Sequence, residues 1–291
     1  MKNYLSMPLL ITSLLISNII VIPTKAITIG TYNVLHGGTR GWFAKEGNWS
    51  KRKQGVSNII KNNMKADIYG FQEVITDNNQ FDDIKEALPG YGHVGQPRST
   101  YTGEKLWQYV TMLAATDEYN PIFYNQEKID LIDSGTFGIN ADASTHLKLL
   151  PRICTWAHLK EKASNKDFFT YNTHLDNADE NNRIAQVKVV LNDIQQRCNQ
   201  KPVILMGDLN TTFTGDMQET LSESGFTHAQ TVAKEADQHI TTHLKKGKPF
   251  EIDHILVKPD NAFNIKTYKT CGERSETTSD HNPVCMDFSF N

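Results

Sequence analysis

The sequence predicts an α/β protein built as a four-layer α/β/β/α sandwich, in which two mixed β-sheets pack face to face and helices cover their outer faces. Short apolar runs rich in β-branched and aromatic residues recur along the chain. Only two long segments have the helical spacing of apolar residues, and no repeat or Pro/Gly-rich linker follows residue 26. Many strands with few helices favour stacked sheets covered by helices.

The predicted strands are the short apolar runs 27–34, 67–72, 110–115, 121–124, 153–159, 167–173, 203–206, 252–257, 265–270 and 284–290. The first predicted helix follows Ser50, a candidate N-cap, and carries Val56, Ile59, Ile60 and Met64. The second carries Ile184, Val187, Leu191, Ile194 and Cys198. In α/β folds of this kind, ligands gather at the carboxyl ends of the strands.

The first 26 residues are typical of a signal peptide. Lys2 precedes an apolar run over 9–22, and the segment ends at the small residue Ala26. The alternative is an uncleaved membrane anchor, for which the run is at the short limit. We therefore expect 27–291 to form a single exported domain, periplasmic or secreted. We expect it to be monomeric and not to insert stably into a membrane after the signal is removed.

The charge of the expected mature chain argues against a broad basic surface. The whole chain has a net charge of −3, and removal of two signal-peptide lysines leaves 28 basic and 33 acidic residues, a net of −5. A cluster of acids that holds a metal would be neutralised locally, so nucleic acid stays among the candidate substrates. The segment 95–108 contains Arg98, Tyr101, Lys105 and Trp107, which predict either a grip on a nucleic-acid backbone or an ordinary loop.

The four cysteines are spaced too widely for a zinc pattern. Export would place them in an oxidising compartment, where disulfides form. Cys271 and Cys285 flank a loop between two predicted strands and are the preferred pair. Cys154 and Cys198 remain, and the alternative for any of the four is a buried free thiol.

Polar side chains stand at the ends of most predicted strands. They are Asn33, Glu73, His174, Asp176, Asp208, Asn210, Asp253, Asp280 and His281. Each can be explained alone as a turn or cap, and Asp208 to Asn210 fits an Asx turn. Asp253 is harder to explain in this way, because it lies inside an apolar run and a buried carboxylate needs a histidine or a metal as partner.

As a set, these residues favour phosphoryl chemistry. Carboxylates with Asn amides suit a hard cation, Mg²⁺ or alternatively Mn²⁺. Histidines near acids, His174 and His281, supply acid–base groups, and Arg152 is a candidate phosphate ligand or a surface arginine. A hard cation, an activated water and a stabilised leaving oxygen are the parts that phosphoester hydrolysis needs.

The ordered series TYN, QE, THLDN, GDLN, IDHI and SDHNPV resembles the endonuclease/exonuclease/phosphatase superfamily of metal-dependent phosphoesterases, over nearly the whole mature chain. The resemblance implies metal-site roles for Asn33, Glu73 and Asp280. It implies that Asp208 and Asn210 orient the nucleophile and touch the phosphate. His281 would act as general base or phosphate partner, and Asp253 would orient it.

Further roles come from the deoxyribonuclease branch of the superfamily. The resemblance implies that His174 is a second catalytic histidine, paired with Glu118, and that Arg152 and Tyr124 contact the substrate phosphate. These positions predict a Mg²⁺-dependent phosphodiesterase whose first candidate substrate is nucleic acid. The alternatives are a sphingomyelinase or an inositol- or sugar-phosphate phosphoesterase on the same fold, and a catalytically inactive binding protein.

Overall fold

The computed structural model describes residues 26–38, 48–101, 117–140, 151–237, 243–245 and 248–291. Apart from Ala26, the predicted signal peptide lies outside the described residues, as do the predicted strand 110–115 and both Lys105 and Trp107. In the part of the chain that is described, no helix has the length and apolar character needed to cross a membrane.

The described chain contains many strands and few helices, as predicted. The strands are β1 Ile27–Asn33, β2 Ile68–Gln72, β3 Val74–Ile75, β4 Tyr91–Val94, β5 Glu118–Tyr119, β6 Ile122–Asn125, β7 Ile129–Gly138, β8 Ile153–Glu161, β9 Asp167–His174, β10 Val203–Asp208, β11 Thr227–His228, β12 Glu235–Ala236, β13 His243–Lys245, β14 Lys248–Phe250, β15 Asp253–Lys258, β16 Phe263–Thr270 and β17 Val284–Phe290. The helices are α1 Trp49–Asn58, α2 Gln80–Ala87, α3 Glu180–Arg197, α4 Gly215–Glu223 and α5 Ala229–Val232, and a π-helical turn, Ile59–Met64, continues α1.

Two mixed sheets form the centre of the molecule. The order of one is β12-β16-β17-β1-β2-β6-β4, and that of the other is β11-β15-β10-β9-β8-β7. In each sheet one central pair is parallel, β1 with β2 and β9 with β10, and the described neighbours of each pair run antiparallel to it. The described residues also form two short two-stranded sheets, one of β3 with β5 and one of β13 with β14.

The buried side chains show the four layers. One cluster contains residues of both sheets, including Ile29 and Met286 from the first and Ile204 and Ile255 from the second, so the sheets pack face to face. A second cluster lies between the second sheet and helices α3 and α4. A third joins the first sheet to α1, its π-helical turn and α2. The predicted α/β/β/α arrangement is confirmed.

The structure differs from the prediction in several elements: the short strands β3, β4, β5 and β11 to β14 and the helices α2, α4 and α5 were not predicted. The first helix begins at Trp49 with Asn48 as its N-cap, so the assignment of Ser50 as N-cap is wrong; the Ser50 hydroxyl instead donates to Asn48 Oδ1 at 2.7 Å. Strand β7 was not predicted, because it is an edge strand with mostly half-buried or exposed residues and lacks a continuous apolar run.

The predicted disulfide between Cys271 and Cys285 is confirmed. It links the residue that follows β16 to the antiparallel partner strand β17. Cys154 and Cys198 are buried free thiols, and burial raises the pKa of both well above the usual thiol value.

Candidate active site

The strand pairing brings the predicted polar residues to one edge of the sandwich. Strands β1 and β2 are parallel and end together at Asn33 and Gln72, immediately before Glu73. Strands β9 and β10 are parallel and end together at His174 and Asp208. The antiparallel neighbours β15 and β17 begin at the same edge, at Asp253 and just after His281. The two sheets thus converge on a cleft of about 490 Å³.

Asp208 lies at the centre of this edge because of the unusual backbone around it. Gly207 has φ +140°, and a Cβ there would collide with the carbonyl oxygen of Thr173 on the neighbouring strand, so only glycine fits. Asn210 is left-handed at φ +53°, and its backbone N–H donates to Asp208 Oδ1 at 2.8 Å. The segment is therefore the expected Asx turn. Both of its polar side chains line the cleft, and Asn210 Nδ2 donates to the Leu175 carbonyl oxygen.

His281 and Asp253 form a buried acid–histidine pair. Nδ1 of His281 lies 2.7 Å from Asp253 Oδ2, and Nε2 lies 3.8 Å from Asp208 Oδ2. Burial alone would lower the pKa of His281, but the charge and hydrogen bond of Asp253, with Asp208 and Asp280 nearby, raise it to about 10. His281 is therefore an imidazolium at neutral pH, held in one orientation by Asp253.

His174 approaches the same carboxylate from another direction. Its Nε2 lies 3.6 Å from Asp208 Oδ2, and its Nδ1 lies 3.3 Å from Glu118 Oε1. Burial alone would raise the pKa of Asp208, but the two histidines, with bonds from Asn33 and Asn210, hold it below the usual value. Asp208 is therefore ionised between two imidazoles.

Glu118 connects His174 to two buried arginines. Arg98 Nη1 donates to Glu118 Oε2 at 2.9 Å, and Arg152 Nη1 lies 3.7 Å from Oε1. Burial would raise the pKa of Glu118, but Arg98, His174 and Arg152 hold it well below the usual range. The Nε atoms of Arg98 and Arg152 are buried and have no acceptor among the described residues. Both arginines line the cleft, where an anionic group would meet them.

Glu73 and Asp280 line the cleft with carboxylates that fit a hard cation, whereas Asn33 is buried beneath them and its Oδ1 accepts from the Leu35 backbone N–H. Asn33 Nδ2 donates to both Glu73 Oε1 and Asp208 Oδ2 at 3.0 Å. Glu73 has φ +60°, a strained conformation for a side chain of this size and one that occurs at functional sites. No lysine or arginine of the described segments forms an ion pair with Glu73. With Asp280 also lining the cleft, the donors are the hard oxygens that Mg²⁺ or Mn²⁺ prefers.

Two residues that hold this metal side were not predicted from the sequence. Arg52 is buried in α1, and its guanidinium donates to the carbonyl oxygens of Val34, Leu35 and Thr278, which flank Asn33 and Asp280 in the chain. The backbone N–H of His36 donates to Glu73 Oε2 at 2.9 Å. The role of Arg52 cannot be predicted from the sequence, because its position is that of an ordinary polar residue on an amphipathic helix.

The structure brings every predicted site residue to the cleft or directly beneath it, except Tyr124. Tyr124 pairs with Ile68 at the start of β2, the opposite end from Glu73, and its ring packs in the core between the sheets. This position does not fit the expected contact with substrate phosphate. Arg98, which the sequence suggested as part of a segment that binds a nucleic-acid backbone, is instead buried in the cleft.

Known proteins resemble this chain in sequence and in fold. A sequence model of the Endonuclease/Exonuclease/phosphatase family matches residues 30–281, and no curated protein matches the chain significantly. An endonuclease/exonuclease/phosphatase of Bacteroides vulgatus is 27% identical with a TM-score of 0.75, over 92% of this chain and 100% of its own. A mannosyl-6-phosphatase of Bacteroides thetaiotaomicron is 26% identical with a TM-score of 0.72, over 91% and 100%. The human nocturnin catalytic domain with a bound sulfate anion shares the fold at 20% identity, with a TM-score of 0.68 over 91% and 95%.

Proposed function

Because this chain belongs to the endonuclease/exonuclease/phosphatase family of phosphoester hydrolases, we propose that it is an exported hydrolase that depends on Mg²⁺ or Mn²⁺ and cleaves a phosphoester with water as the nucleophile. The observation that carries the proposal is the arrangement around Asp208 Oδ2. That single oxygen faces His174 at 3.6 Å and His281 at 3.8 Å, and accepts a hydrogen bond from Asn33.

The chemistry follows from the positions and charges of these groups. Asp208, ionised and buried, orients the attacking water and accepts its proton. The His281 imidazolium donates to a non-bridging phosphate oxygen, and His174 gives a proton to the leaving alkoxide. Arg98 and Arg152 supply further donors for the phosphate. A cation bound by Glu73 and Asp280, with Asn33 beside them, would neutralise phosphate charge.

The substrate predicted from the sequence is the phosphodiester backbone of nucleic acid. The grouping of His174, Glu118 and Arg152 supports it, since these are the positions that resemble the deoxyribonuclease branch. A phosphorylated sugar is the second candidate, and two observations favour it. Arg98 is ion-paired inside the cleft and not part of an exposed basic strip, and a structural neighbour at 26% identity is a mannosyl-6-phosphatase.

A substrate panel tests the proposal. The full protein is incubated with supercoiled plasmid, RNA, mannose 6-phosphate and sphingomyelin vesicles, each with Mg²⁺ and with EDTA. We expect EDTA-sensitive cleavage of plasmid, RNA or the sugar phosphate, abolished in Asp208→Ala and His281→Ala but not in His158→Ala, a histidine paired with Asp167 outside the cleft. Cleavage of lipid alone would refute the substrate choice. The absence of any EDTA-sensitive cleavage would favour a binding protein.

Export and the monomeric state are also part of the proposal. The disulfide between Cys271 and Cys285 supports export, because such bonds persist in oxidising compartments. N-terminal sequencing of the protein secreted from its host should begin at Ile27, and gel filtration should give a monomer. A cytosolic protein with an intact N-terminus would contradict the export proposal.

A further inference from the structure

A second cluster of ligand atoms lies behind one wall of the cleft. His228 at the end of β11, Glu251 before β15 and His254 within β15 each offer one atom, and these atoms lie within 4.8 Å of one another. His228 Nε2 is 2.9 Å from His254 Nδ1 and 3.7 Å from Glu251 Oε1. The function proposed above uses none of the three.

The outer hydrogen bond of His254 fixes which nitrogen faces the cluster. His254 Nε2 lies 2.9 Å from the carbonyl oxygen of Thr211, so Nε2 carries the proton and Nδ1 presents a lone pair. Histidines that bind metals are held in this way, with the second ring nitrogen donating to a carbonyl or carboxylate. His254 is therefore oriented as a ligand toward His228 and Glu251.

The hydrogen bonds within the cluster leave one atom unsatisfied. A single proton between His228 and His254 accounts for those two nitrogens, but Glu251 Oε1 is buried and has no hydrogen-bond donor among the described residues. A buried carboxylate oxygen without a donor is costly. One cation placed between the three atoms would satisfy all of them, after His228 moves its proton to Nδ1.

We propose that His228, Glu251 and His254 form a second metal site that binds a borderline divalent cation such as Zn²⁺. Two imidazole nitrogens with one carboxylate oxygen are a zinc donor set, whereas the donors near Glu73 are all hard oxygens. The rings of Phe213 and Tyr268 lie 4.9 and 5.3 Å from His228 and form an apolar shell, which favours a structural ion.

The position of this site indicates what the ion does. His254 directly follows Asp253, the partner of His281, and it holds the carbonyl oxygen of Thr211 in the cleft wall. Bound Zn²⁺ would link β11, the segment before β15 and the turn that follows Asp208. It would therefore stabilise the cleft wall without contacting substrate.

Zn²⁺ titration of the metal-stripped full protein tests this site. Calorimetry is run with Mg²⁺ in large excess, so that the hard oxygen site is occupied. We expect wild type to bind one equivalent of Zn²⁺, and His228→Gln and Glu251→Gln to bind it at least 100-fold more weakly. His158→Gln is the matched control, because it removes a half-buried histidine bonded to a carboxylate elsewhere and should bind Zn²⁺ as wild type does.

A variant of the first site separates the two centres. Glu73→Gln should lose Mg²⁺-dependent turnover and keep the Zn²⁺ equivalent. The proposal is refuted if wild type binds no Zn²⁺ in excess Mg²⁺, or if His228→Gln and Glu251→Gln both retain it. It is also refuted if the Zn²⁺ equivalent is lost only in His281→Ala, which would place the ion in the cleft. Glu251 is partly exposed and its change to Gln is isosteric, so this variant decides the outcome if His228→Gln does not fold.

Discussion

Replacing Asp253 by Asn tests how the buried acid–histidine pair contributes to catalysis. The change keeps the shape of the side chain but removes the charge 2.7 Å from His281 Nδ1. A rise in the pKa of His281 from 6.5 to about 10 corresponds to about 5 kcal/mol in favour of the imidazolium. Asp208 and Asp280 share this effect, so we assign about half of it, roughly 2–3 kcal/mol, to Asp253.

The expected result follows from the proposed role of His281 as a charged donor to phosphate. Loss of about 2–3 kcal/mol of transition-state stabilisation lowers kcat/KM by roughly 30- to 150-fold. Because the imidazolium is the active form and its pKa is raised, wild-type activity is present below that pKa and lost as pH rises through it. In Asp253→Asn this alkaline limb should move to lower pH.

The assay is the initial rate on bis(p-nitrophenyl) phosphate and p-nitrophenyl phosphate in saturating Mg²⁺, measured across the pH range. Asp287→Asn is the control, since Asp287 lies on β17 and accepts hydrogen bonds from Thr28 and Thr267, away from the cleft. The reasoning fails if Asp253→Asn stays within three-fold of wild type with its alkaline limb unmoved.

Three further predictions concern stability. Gly207→Ala should destabilise the fold by about 2–4 kcal/mol in urea unfolding, since its φ is +140° and a Cβ has no room; a loss below 1 kcal/mol would contradict the backbone described. Cys271→Ser should cost about 3 kcal/mol, from opening a loop with a sequence separation of 14, and an unchanged melting temperature would contradict this. The third prediction concerns the metal-free protein, kept in EDTA. Burial lowers the pKa of His228 to about 3 and that of His254 to about 4. The free energy of unfolding should therefore fall as pH drops from 6.5 towards 4, by about 1.4 kcal/mol per pH unit for each histidine. Glu251 partly offsets this fall, because burial raises its pKa to about 7. His228→Gln should flatten that slope, and parallel curves would count against the burial of these rings.

The sequence predicts most of the fold because apolar runs mark buried strands. Strands β9 and β10 are buried along almost their whole length, and their runs predict them to within two residues at each end. Strand β7 was missed for the opposite reason, since an edge strand that faces solvent on one side carries polar residues at irregular positions. Sequence periodicity therefore reports burial first and backbone conformation only through it.

The sequence predicted which residues form the site, but not which of their atoms contact each other. The apolar surroundings of Asp253 predicted a histidine or a metal ion as its partner, because a buried carboxylate needs one. Arg98 and Arg152 could not be joined through Glu118 in this way, since three distant segments meet there and each has an ordinary local explanation. The same holds for Asp208 Oδ2, which faces His174 and His281 together. The motifs name both histidines, but only the pairing of β10 with β9 and β15 shows that one oxygen of Asp208 faces both of them.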